Sequence, residues 1–111
     1  QIDYDLEMAL IAVIEKHGCE QQIGAARYIT NIDRTSCEFA VVVADDWQGK
    51  RIAWRLMQAL IVSATEKGLN EMQGTVLAAN IPMLDFCKRF NVDVKYDQED
   101  KSVCSVVKKV N

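Results

Sequence analysis

The strongest constraint on this chain is a change of period between residues 37 and 64. Residues 37–44 (CEFAVVVA) are almost continuously apolar and contain three valines in a row. Such a run has high β propensity and the length of a strand. Its continuous apolar character predicts a central strand buried on both faces. Just beyond it, Ile52, Leu56, Leu60 and Ala64 recur every four residues, flanked by Ala53, Met57 and Ile61. That pattern is one face of an amphipathic helix. Lys67 falls in the last turn, and Gly68 can close the helix in a left-handed conformation. Residues 72–78 (MQGTVLA) read as the next strand, so this strand–helix–strand unit is expected to be a right-handed parallel crossover.

The remaining elements are shorter. Residues 8–14 (MALIAVI) read as a buried strand, and His17-Gly18 as a turn. Residues 22–30 (QIGAARYIT) read as a second strand, with residues 31–36 as a hairpin loop. Pro82 suits the first turn of a second helix, where its missing N–H costs little. Met83, Leu84, Phe86, Cys87 and Phe90 supply that helix's apolar side, and Asn91 can take a left-handed cap. Residues 92–96 and 103–110 are expected to be two closing strands joined by an acidic turn at 97–100. The predicted order is β-β-β-α-β-α-β-β, with the first three strands an antiparallel meander. This is a mixed-sheet α/β chain, α+β by some schemes.

The 111 residues fit one domain, residues 1–111, with a single core. The net charge of −3 favours neither nucleic acid nor an anionic membrane as partner. No apolar run approaches the length of a transmembrane helix, and none reads as a signal peptide. Gln1 in place of Met suggests a piece of a longer chain. Of the four cysteines, Cys19, Cys37, Cys87 and Cys104, none sits in a CxxC pair, and His17 alone could join them as a classical zinc ligand. No metal site is expected, and the cysteines read as reduced, mostly buried thiols of a cytoplasmic protein.

The junction at residues 45–53 (DDWQGKRIA) carries the chemistry. A strand-to-helix junction exposes backbone N–H groups, and the helix dipole favours negative charge there. Gly49 lets the backbone approach a ligand, Lys50 and Arg51 add positive charge, and Ala53 allows close packing behind. The combination suits a pyrophosphate. Neither GxxxxGK[ST] nor GxGxxG is present, however. A plain loop with a solvated basic pair would use the same residues.

The run at residues 38–57 (EFAVVVADDWQGKRIAWRLM) resembles motif A of the GNAT N-acetyltransferases, a strand followed by Q/R-x-x-G-x-G/A and a helix. Gln48, Gly49, Lys50, Ile52 and Ala53 fit the pattern, whereas Arg51 stands where the family has its first glycine. The words VLAAN and PML agree as well, with Asn80 at a position that often contacts pantetheine. The resemblance covers essentially the whole chain. It points to the domains of bacterial protein lysine acetyltransferases, often fused to cyclic-nucleotide-binding or acyl-CoA-synthetase-like domains. It implies a GNAT-like mixed sheet that lacks the usual N-terminal strand and two helices. Those elements help form the acceptor side, so part of a sheet face is expected to be bare and open to pairing with a second copy or a fused regulatory domain.

The resemblance further implies acetyl-CoA as acyl donor and a protein lysine as acceptor. The pantetheine arm would lie between the strands at 37–44 and 72–78, bonded by the backbone of Val41, Val42 and Val43. Backbone N–H groups from Gly49 to Ala53 would hold the pyrophosphate, and Asn80 and Met83 would line the pantetheine side. A protonated lysine needs a base. Glu38 is the candidate: a carboxylate in an apolar strand, which desolvation would push up toward the working range. The family's usual tyrosine acid is replaced by Cys87, read as a packing residue. Trp47 is expected to shield the turn and Trp54 to be a partly exposed helix residue. Arg51 cuts both ways: a helical first turn does not strictly need glycine and a guanidinium can pair with a phosphate, so binding is expected to be retained, whereas its bulk would crowd the pyrophosphate and weaken binding. The alternative is a non-catalytic acyl-CoA-binding or sensor module of a larger protein.

Overall fold

The computed structural model describes residues 6–49 and 51–111. Six strands and two α-helices follow in the predicted order: β1 (Glu7–Lys16), β2 (Cys19–Thr30), β3 (Ser36–Val43), α1 (Ile52–Glu66), β4 (Glu71–Leu77), α2 (Ile81–Arg89), β5 (Asp93–Tyr96) and β6 (Val103–Lys109). A short 3-10 helix, Asp45–Trp47, was not anticipated. The strands form one sheet in the order β1-β2-β3-β4-β6-β5. β1, β2 and β3 are an antiparallel meander, and β3 pairs parallel with β4 across α1.

Local chemistry sets the turns. His17 and Gly18 both take positive φ, 53° and 78°, between the paired residues Lys16 and Cys19. Two left-handed residues give a hairpin turn whose twist matches that of the strands. The β2–β3 loop is closed by the Asp33 carboxylate, which accepts from the amides of Thr35 at 2.9 Å and Ser36 at 3.1 Å. The Thr35 amide is the main cause of the lowered Asp33 pKa. α1 ends as expected, with Gly68 at φ 77° and the Leu69 amide bonded to the Ala64 carbonyl at 3.0 Å. Asn91 closes α2 at φ 58°.

Both helices lie on the same face of the sheet. α1 packs across β1, β2 and β3, and α2 packs beside β5. The helices meet where Trp54 stacks on Phe90, with ring centroids 4.1 Å apart. Between helices and sheet lies the core of Tyr28, Cys37, Met57, Leu60, Ala64, Met72 and Val106. Gly24 lets α1 sit close to β2: a β-carbon there would lie 3.2 Å from Leu56 Cδ1 and 3.3 Å from Ile52 Cγ2.

Burial on both faces of β3, which its continuous apolar run predicts, does not occur. Cys37 and Val41 are buried against the helices, but Glu38, Ala40 and Val42 are exposed, Val42 by 66%. Among the described residues no element packs on their side. The same bare face carries Ile11, Val13 and Ile29, also exposed. Apolar composition therefore marks two faces of β3, while helices cover one.

Candidate functional site

The β3–α1 junction is built in steps. The Ala44 amide continues the sheet by bonding to the Ile23 carbonyl at 2.8 Å. The 3-10 turn follows, held by the Trp47 amide on the Ala44 carbonyl at 2.8 Å. Gly49 then takes φ 80°, and among the described residues nothing beyond its chain neighbours lies within 4 Å of the place a β-carbon would occupy. Arg51, the N-cap of α1, sits at φ 65° and ψ 13° and makes no side-chain capping bond. The Arg55 amide bonds to the Arg51 carbonyl at 3.1 Å. The amides of Ile52, Ala53 and Trp54 therefore precede the first intrahelical donor and have no acceptor within the helix. The helix behind them is fifteen residues long and has no acidic residue in its first turn. An anion is the natural complement of such an end.

The predicted binding residues divide here by role. Gln48, Gly49 and Arg51 are exposed, while Ile52 and Ala53 are half-buried and pack their side chains against the core. Gln48 turns back so that its Nε2 donates to the Val43 carbonyl at 3.3 Å. Trp47 is half-buried beside the turn. Lys50 lies outside the described residues. One expectation needs correction. Arg51 is not in a right-handed helical turn that is indifferent to glycine. It occupies the left-handed region, which glycine enters without steric cost and other residues enter at a penalty.

A cleft opens beside this junction. The parallel ladder between β3 and β4 contains three pairs, Ser36–Glu71, Cys37–Met72 and Glu38–Gln73. β3 runs on to Val43 and β4 to Leu77 with no further pairing. The bonds Asn31 N to Ser36 O and Ala44 N to Ile23 O fix which residues of β3 face β2. By alternation, the amides and carbonyls of Glu38, Ala40 and Val42 point to β2, and those of Val41 and Val43 point to the cleft. The expected backbone trio is thus reduced to two, because Val42 is occupied with β2. Its side chain stands on the bare face.

Glu38 occupies the last rung of the ladder, where the cleft begins. Its side chain is exposed on the bare face, so the desolvation expected of a carboxylate within an apolar strand does not arise there. Asn80 and Met83 stand at the far side, at the start of α2. Asn80 is the N-cap, and its Oδ1 accepts from the Met83 amide at 3.3 Å. Its Nδ2 has no partner among the described residues. Met83 is half-buried against the core. Cys87 is buried, and burial raises its pKa, so it packs as a neutral thiol.

Two residues in the cleft were not anticipated. Phe39 and Gly74 follow the last ladder pair on their respective strands, and a β-carbon at Gly74 would lie 3.3 Å from Phe39 Cε1. A glycine inside a strand signals close approach of another group, but its partner depends on where the two strands part.

Residues 2–91 match the Acetyltransferase (GNAT) family. A curated acetyltransferase of Pseudomonas aeruginosa is 34% identical over 101 residues, which cover 91% of this chain and 54% of that protein. The chain thus spans about half the length of that relative. The GNAT domain of S. lividans PAT superposes with a TM-score of 0.82 at 22% identity, covering 98% of this chain and 64% of the other. A cAMP-binding acyltransferase from Mycobacterium smegmatis superposes with a TM-score of 0.77 at 28% identity, covering 98% of this chain and 33% of the other.

Proposed function

The chain belongs to the GNAT acetyltransferase family, and from that premise we propose that it transfers an acetyl group from acetyl-CoA to a lysine amine of a protein substrate. One observation carries this reading. The β3–β4 ladder stops at Glu38–Gln73, and the cleft it leaves leads along β3 to the uncapped amino end of α1. A phosphate-bearing donor with a long, amide-rich arm suits that shape.

The residues fit such a donor. Amides of Ile52, Ala53 and Trp54 supply N–H groups toward a pyrophosphate, and Gly49 leaves the approach open. Backbone groups of Val41 and Val43 offer donors and acceptors to the pantetheine amides. Gln48 vacates the Val43 carbonyl when the arm binds, and Asn80 Nδ2 offers one more donor. Acetyl-CoA, when bound, supplies an activated thioester. Glu38 takes a proton from the incoming lysine ammonium, directly or through a water, so that the neutral amine is the nucleophile. Its exposure on the bare face leaves it accessible to a protein side chain. The departing sulfur takes its proton from water, since Cys87 is buried away from solvent.

The fusion of domains is part of the proposal. The chain covers a third of a relative named for cAMP binding, which is consistent with a place beside a regulatory domain. A cytoplasmic setting fits the free thiols of Cys37, Cys87 and Cys104. No described helix is long and apolar enough to cross a membrane.

Calorimetry with acetyl-CoA, followed by acetylation of a lysine-rich protein, tests the reading. Heat of binding with catalysis lost in Glu38→Gln supports it; no heat and no thermal shift rejects it. One observation favours a second reading, a non-catalytic acyl-CoA-binding module: a charged side chain occupies the left-handed N-cap. Binding without transfer, at equal background rates in parent and Glu38→Gln, would select that reading.

A further inference from the structure

We propose that the contact between Phe39 and Gly74 closes the inner end of the acyl-donor cleft and limits the donor to short acyl chains. The inference rests on the acyl-CoA reading above and goes beyond it to the choice of acyl group. Phe39 and Gly74 each come directly after the last paired residues, Glu38 and Gln73, so they stand at the apex where the strands separate.

Gly74 does not occupy the left-handed region, so no turn requires glycine there. What favours it is space. A β-carbon at Gly74 would lie 3.3 Å from Phe39 Cε1, 3.3 Å from the Phe39 carbonyl oxygen and 3.1 Å from Val106 Cγ2. The Phe39 ring therefore lies against the β4 backbone across the apex, on the side of the sheet that faces the helices.

The lining of that side is apolar. Phe39, Val41 and Val43 alternate along β3, and Val76 stands on β4; all pack against the core. Glu38 points to the opposite face. A thioester lying in the cleft between the two faces would have its acyl chain directed into the Phe39 wall and its carbonyl open to an amine approaching from Glu38. The run from Phe39 to Val43 spans about 13 Å at about 3.3 Å per residue. An extended pantetheine arm starting at the α1 junction can follow it to the apex. The ring then sets how many methylenes fit beyond the carbonyl. Discrimination of roughly tenfold or more per methylene is what an apolar pocket supplies.

The test is calorimetric affinity of the 111-residue chain for CoA, acetyl-CoA, propionyl-CoA and butyryl-CoA, with Phe39→Leu and Phe39→Ala beside the parent. The parent is expected to bind butyryl-CoA, two methylenes longer, about 100-fold or more weakly than acetyl-CoA. Phe39→Ala is expected to bring the two within about twofold, with Phe39→Leu intermediate. Phe39→Leu keeps most of the packing volume, so a preference shift remains readable if Phe39→Ala unfolds. A parent without chain-length preference, or variants that weaken all donors by one common factor, would overturn the inference and leave the acyl-CoA reading standing. A parent that binds none of the four would overturn both.

Discussion

Glu38 of β3 and Gln73 of β4 form the final pair of the parallel ladder, and the strands part immediately after them. The carboxylate thereby stands at the inner end of the cleft while its backbone is still anchored in the sheet. Anchoring matters because a general base must hold its position relative to the thioester. Glu38→Gln keeps the shape and removes the proposed base. We expect kcat for lysine acetylation to fall by about 100-fold or more, while acetyl-CoA affinity stays within about twofold of the parent. Steady-state kinetics paired with calorimetry would check this. A variant with parental kcat would remove Glu38 from the mechanism.

Arg51 carries a backbone penalty that its side chain does not offset with a capping bond. Left-handed geometry costs a non-glycine residue roughly 1–2 kcal/mol. Part of that gain would be returned by the greater freedom of glycine in the unfolded chain, about 0.4–1 kcal/mol. Arg51→Gly is therefore expected to stabilise the fold by about 0.5–1 kcal/mol, read as a higher urea midpoint with an unchanged slope. Arg51→Val, a β-branched residue at the same φ, is expected to lower the midpoint. Acetyl-CoA titration of the glycine variant separates this backbone effect from the guanidinium's effect on the anion. A large gain in affinity would mark Arg51 as a brake on binding.

These residues show what the sequence can and cannot reveal. The junction was legible because a strand pattern gives way to a helix pattern within a few residues, and because Gly68, Pro82 and Asn91 punctuate the ends of helices. Element order follows from such local signals. The left-handed state of Arg51 was not legible, since arginine has no preference for it. The bare face was misread at β3 for a related reason. Apolar side chains at Ala40 and Val42 look like core, yet what covers a face is decided by where the helices pack. The Phe39–Gly74 contact depends on the place where two strands separate, which no local pattern encodes.

Asn80 has a capping role and a proposed binding role that substitutions can separate. Its Oδ1 caps α2 through the Met83 amide, and its Nδ2 is the donor proposed for the pantetheine arm. Asn80→Ala removes both and is expected to cost about 1 kcal/mol of stability as well as affinity. Asn80→Asp keeps the capping oxygen and removes the donor. It should retain the parental urea midpoint while binding acetyl-CoA several-fold more weakly, by roughly the 0.5–1.5 kcal/mol of one hydrogen bond. Equal affinity of Asn80→Asp and the parent would restrict Asn80 to the helix cap.

The thiols give a prediction tied to pH. Cys37 is fully buried at the centre of the sheet, and burial raises its pKa from 9.0 to about 11. Cys87 is raised for the same reason, while Cys19 is exposed. At pH 8 a thiol reagent should label Cys19 rapidly and reach Cys37, Cys87 and Cys104 only when the chain unfolds. Stability should follow the Cys37 proton. Below pH 9 both folded and unfolded chains hold it, and the contribution is fully present. Between pH 9 and 11 the unfolded chain releases it while the folded chain retains it, so stability falls as pH rises through that window. The full loss is on the order of 2–3 kcal/mol. Cys37→Val removes the titrating group and keeps an apolar side chain. Urea midpoints measured at pH 8, 9.5 and 10.5 should decline less steeply for Cys37→Val than for the parent. Parallel declines would show that the Cys37 proton does not govern alkaline stability.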